Sequence, residues 1–168
     1  MSVTIDQVSA QLNLDEPDYG KLALLGAEIV PFLKQLTLGT DAMLASKAVY
    51  LASLIQSEQS PSVVAAGISS PEVLVRVAAA SAARNLPKAL SINLFDSLLD
   101  DRDVGVRKVA LNSISASGLL NEQNDAVRAI LTDEAAMTEM SNLKTKIQGL
   151  ATADQHEFIR ELATETLR

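Results

Sequence analysis

Three stretches of this chain carry the same polar marks at nearly the same interval. They cover 39–52, 69–82 and 100–113, and they open with Asp41, Ser70 and Asp101. Six residues after each opening comes a base: Lys47, Arg76 and Arg107, separated by 29 and then 31 residues. A period of this size accommodates one pair of helices joined by a turn. Such a pair cannot bury both its faces alone, so repetition commits the chain to stacking pairs side by side around a shared core.

Local chemistry supports a helix at each mark. Asp and Ser side chains accept hydrogen bonds from the free N–H groups of a first helical turn, and Pro71 is tolerated at a helix start because its missing N–H has no partner there. Val73, Val77 and Ala80 recur at helical spacing in the second stretch, as do Val106, Val109, Ala110 and Ile114 in the third. Each marked helix is preceded by another: 28–38 with Pro31 in its first turn, the short 61–68, and 87–99 with Leu90, Leu94, Phe95 and Leu98 to one side. At the ends the spacing changes. Residues 4–14 and 18–25 predict two helices, 121–131 a third, 133–140 and 143–150 two short ones, and Asp154 a cap for a last helix through Leu167. We read one domain over 1–168, with an N-terminal cap at 1–25, three repeats at 26–118 and a C-terminal helical cap at 119–168.

The marks resemble those of the HEAT-repeat family in its short bacterial form, whose pattern is an Asp opening the second helix, Val-Arg further on, then Ala. Asp101, Val106, Arg107 and Ala110 match all of it; Val75, Arg76 and Ala79 match with Ser70 for the Asp; Asp41 is followed by Ser46, Lys47 and Tyr50. The resemblance covers 26–118. It implies an all-α fold, a right-handed α-solenoid of HEAT-like hairpins with atypical helical caps at both ends. It also implies a non-catalytic role, with a curved surface holding another protein as an adaptor, inhibitor or assembly scaffold. Two other readings come with the family: an accessory or lyase-type protein resembling the bilin lyases, and a DNA-binding HEAT protein.

Charge weighs against the last of these. The net charge is −7, with −3 over 1–40, zero over 41–120 and −4 over 121–168, whereas nucleic-acid binding usually needs a basic footprint that displaces phosphate counterions. With no Cys and one His, disulfides and the usual zinc ligand sets are out of reach. No apolar run reaches the length that spans a bilayer. Met1 to Ala10 has no base and no signal-peptide pattern, so the expected location is cytoplasmic, with no membrane partner.

Candidate chemistry is sparse. We expect no catalytic, cofactor or metal site. His156 lies beside Asp154 in sequence alone, and no nucleophile is evident for a triad. Asp100, Asp101 and Asp103 lack the rest of a calcium loop and suit the positive end of a helix. Met137 and Met140 are expected in the core. Lys47, Arg76 and Arg107 are expected to link neighbouring repeats, since a base between layers must be paired. In the HEAT family the second helices line the concave side. The residues there that the core pattern does not require are Ser46, Tyr50, Arg84, Lys108 and Asn112, the candidate protein-binding set. Tyr50 replaces the small residue the family uses, and two readings stay open for it: an interface anchor, or a space-filler under the first layer.

Overall fold

The structure, a computed structural model, describes residues 3–168 and is all-helical, with no strand among them. Its helices fall into two compact units, Met1–Asn85 and Leu86–Arg168.

The first unit holds α1 (Ile5–Leu12), α2 (Tyr19–Ala23), α3 (Val30–Thr37), α4 (Ala42–Leu54), α5 (Ser60–Ile68) and α6 (Val73–Ala82), with 3₁₀ turns at Gly26–Ile29 and Ala83–Asn85. Thr4 starts α1 through a reciprocal cap: its hydroxyl accepts from the Gln7 N–H at 3.3 Å, and the Gln7 side chain accepts from the Thr4 N–H at 3.0 Å. Asp41 starts α4 by accepting from the Leu44 N–H at 3.0 Å. Pro31 and Pro61 sit in the first turns of α3 and α5, where a missing N–H costs nothing.

Two helical hairpins, α3/α4 and α5/α6, lie side by side in this unit, first helix against first and second against second. Helix α4 packs against α1, α2, α3, α5 and α6, and it is buried on most of its circumference at Leu44, Ala45, Ala48, Val49, Leu51 and Ala52. That surrounding is why its apolar stripe is wide. Close approach of α4, α5 and α6 depends on small residues: a Cβ at Gly67 would lie 2.8 Å from Val49 Cγ2 and 3.2 Å from Ala79 Cβ.

The second unit holds α7 (Lys88–Leu99), α8 (Val104–Ser117), α9 (Asp125–Ile130), α10 (Glu134–Ala153) and α11 (Glu157–Thr166). Helix α7 packs against α10 and α8 against α11, so this unit too is two hairpins laid first on first and second on second, with α9 against α7. Phe95, Leu98, Leu111, Ile114, Leu143 and Ile159 are fully buried between them. Helix α8 ends at Gly118, whose φ of 65° is left-handed and suits glycine.

Several sequence expectations change in detail. Residues 133–140 and 143–150 form one continuous helix, α10, because nothing in 141–142 breaks the backbone ladder. Helix α6 begins after Glu72, not Ser70; the Ser70 hydroxyl accepts from the Glu72 N–H at 3.2 Å and fixes the turn before it. Helix α8 is capped by Asp103, which accepts from the Gly105 and Val106 N–H groups at 2.8 and 3.2 Å, while Asp101 accepts from the Asp103 N–H at 2.8 Å. The expected Met pair splits: Met140 is buried and Met137 is exposed.

Candidate functional site

Arg107, in the first turn of α8, is the most constrained polar group of the second unit. Its NH1 donates to the carbonyls of Asp101 at 2.9 Å and Arg102 at 3.4 Å, holding the turn that leads into its own helix. Its Nε and NH2 donate to the two carboxylate oxygens of Asp154, at 3.0 and 3.2 Å, on the turn before α11. One guanidinium therefore clasps its own turn and grips the next. The bidentate geometry is one that only arginine provides. Both side chains are nearly buried, at 10% and 5% exposure.

The Asp154 carboxylate also accepts from the His156 N–H at 2.9 Å, and the His156 ring Nδ1 lies 3.2 Å from it and 3.4 Å from Arg107 NH2. Burial pushes the Asp154 carboxyl upward, but the His156 hydrogen bonds and the Arg107 guanidinium outweigh it and hold Asp154 below the usual carboxylate range. His156 is thus bound to Asp154 in space as well as in sequence. No hydroxyl nucleophile is hydrogen-bonded to its ring among the described residues, and none of their His, Asp and Glu side chains are grouped to hold a metal ion.

The other repeat bases make related clasps. Arg76 NH1 donates to the carbonyls of Ser70 and Pro71, both at 3.0 Å. Lys47 Nζ donates to the carbonyls of Leu12 and Leu14 at 3.0 and 2.8 Å, closing the end of α1. A fourth clasp went unread in the sequence: Arg160 NH1 donates to the Asp154 carbonyl at 2.7 Å. Its signal was present, because Asp154, Ile159, Arg160 and Ala163 repeat the spacing of Asp101, Val106, Arg107 and Ala110. It falls 53 residues later, since α9 and the long α10 intervene, and so it escapes a search for a period near 30. Residues 134–166 are accordingly a hairpin of the repeated kind.

The five candidate binding residues separate into distinct environments. Ser46 is buried, at 8% exposure, with its hydroxyl donating to the Met43 carbonyl at 2.7 Å, so it is not a surface contact. Tyr50 is half-buried and meets Tyr19 edge-on, with ring centroids 5.1 Å apart. This favours the space-filling reading. Arg84 is exposed, but it lies in the 3₁₀ turn after α6, not on a second helix. Lys108 and Asn112 are exposed one turn apart on α8. Lys108 Nζ stands 5.8 Å from the centroid of the Phe158 ring on α11, within reach of a cation–π attraction. Phe158 is 44% exposed, although its helix pattern marks it as apolar, and its ring lies 5.7 Å from that of His156. Lys108, Asn112, Phe158 and His156 therefore share one surface of α8 and α11.

No protein-family model matches the chain, and no curated protein matches it. No described helix is long and apolar enough to cross a membrane.

Proposed function

We propose that the protein is a non-catalytic binding module for another protein, and that its hairpins are successive parts of a right-handed, HEAT-like α-solenoid. The repeated clasp supports the architecture. Arg76, Arg107 and Arg160 each fold back onto the turn that starts their own helix, and they occur in both units. The observation that carries the function is the Lys108–Phe158 pair. An exposed aromatic under an exposed cation, on neighbouring second helices, contributes little to the core. It is the kind of amphipathic anchor that interfaces use.

The test is affinity capture from the native source with the intact protein as bait, compared with Lys108→Glu and Phe158→Ala baits of unchanged melting temperature. A specific protein retained by the native bait and lost with both variants supports the reading. Retention by both variants removes this surface from it. Retention of a chromophore or of DNA in place of a protein would favour the lyase-type or nucleic-acid readings.

A further inference from the structure

Between the hairpins α7/α8 and α10/α11 lies a segment, 121–132, that their stacking does not use, because α7 meets α10 and α8 meets α11 directly. It is anchored at both ends. Leu119 is fully buried next to Gly118, whose φ is 65°, and the Asp133 side chain accepts from the Ala136 N–H at 3.0 Å to start α10. Between these anchors Val127 alone is buried, and it is the residue that seats α9 on α7; Asn124, Ile130 and Leu131 are half-buried. The backbone hydrogen bonds of the segment close on itself. Asn121 donates to the Gly118 carbonyl at 3.1 Å, Asn124 to Asn121 at 3.0 Å, Arg128 to Asn124 at 2.9 Å and Leu131 to Val127 at 3.1 Å. Among the described residues its one ion pair to another helix is Glu122 with Lys144 of α10, largely exposed on both sides.

A helix of six residues does not persist alone in water, where even about 12–15 residues are marginal. Helix α9 is therefore held by the seating of Val127. Opening 121–132 unseats that one side chain, whereas opening α7, α8, α10 or α11 undoes the core around Phe95, Leu111, Leu143 and Ile159. The two openings differ in the apolar area they expose, and hence in their frequency. We propose that 121–132 is a strap that releases from α7 as one unit, turning at Gly118 and Asp133, while the two hairpins stay packed. Release bares the seat of Val127 on α7. This face of the second unit is thus covered in the main form of the protein and open in a minor one.

The strap concerns α7 and not the Lys108–Phe158 surface, so it stands or falls apart from the binding-module reading. The experiment is amide hydrogen exchange of the intact protein, residue by residue, in urea too dilute to unfold it. The Arg128 and Leu131 amides should be protected, yet exchange at least about a hundredfold faster than those of Leu111 in α8 and Leu143 in α10. Their rates should also be nearly flat in urea, since a small opening exposes little surface. Val127→Ala should speed the Arg128 and Leu131 amides at least about tenfold more and leave Leu111, Leu143 and the thermal midpoint almost unmoved. Glu122→Gln should change them by no more than about fivefold, as an exposed ion pair allows. The proposal is overturned if the strap amides exchange together with those of α10 in one opening, or show no protection in the native chain. It is equally overturned if Val127→Ala speeds α8 and α10 as much as the strap, or if Glu122→Gln matches Val127→Ala, which would place the catch on the ion pair.

Discussion

The two units build the same hairpin pair with different cement. In Met1–Asn85 the layers approach through small side chains: Ala45, Ala48, Ala52, Gly67, Ala79 and Ala80 are all buried. The clasp of its first repeat is a lysine reaching two backbone carbonyls. In Leu86–Arg168 the layers are held across by charge. Arg107 grips Asp154, and Lys146 reaches Asp96 at 2.8 Å and Asp100 at 2.6 Å, joining α10 to α7. The contrast shows that one backbone arrangement tolerates either close packing or paired charge between layers. The failures should differ accordingly: volume changes should hurt the first unit most, and charge removal the second.

The largest expected effect is in the second unit. Arg107→Ala leaves the buried Asp154 carboxylate without its guanidinium, a loss on the order of 3–5 kcal/mol. Lys47→Ala, which removes a clasp of carbonyls alone, should cost about 1 kcal/mol. Urea melts of both variants measure the gap, and equal losses would erase the comparison. The same pair sets an acid limit. Because the folded Asp154 titrates below its ordinary value of 3.8, its contribution is present above that pH and is lost as pH falls through the lower folded value. The stability difference between the native chain and Asp154→Asn should therefore shrink in strongly acid solution, and a difference that persists there would contradict the assignment.

Next comes the first unit's packing. Gly67→Ala places a Cβ against Val49 and Ala79, and Gly67→Val adds more, so losses of about 1–3 kcal/mol should appear in thermal melts and rise with side-chain size. If Gly67→Ala stabilises the chain, as a helix-propensity gain alone would predict, the layers are looser than described. Lys146→Met should cost only about 0.2–1 kcal/mol, because Asp100 is largely exposed, and the cost should fall in high salt. The smallest expected effect on stability is that of Lys108→Glu, within about 0.5 kcal/mol of the native chain, since the residue is exposed and outside the core. A large loss there would mean that the cation over Phe158 holds the hairpins together and is not a binding feature.

Much of the local structure was legible. Asp41, Pro31 and Pro61 mark their helix starts because capping and proline chemistry act within one turn. The interior of α10 was misread, since the sequence of 141–142 has no breaker and composition alone does not say whether two short apolar runs belong to one helix. The candidate surface was legible only in part. Lys108 and Asn112 lie outside the core pattern and are exposed. Ser46 lies outside it as well, yet α4 is surrounded, and a small hydroxyl that returns its proton to the Met43 carbonyl can be buried at little cost. Phe158 reads as core by type and period but is half-exposed, because it sits at the start of α11 under the Lys108 ammonium of α8 and not in the seam between the two helices.

By itself, then, the sequence determines that this chain is helical, where most of its turns fall, and that a base follows six residues after each repeat opening. These are properties of neighbours along the chain, set by hydrogen bonds and side-chain periodicity within a turn or two. Only the tertiary structure decides which edge of each guanidinium is used. Arg107 turns its Nε and NH2 to Asp154 across 47 residues of sequence. That pairing needs α11 packed against α8, and no local pattern records which helix will lie there.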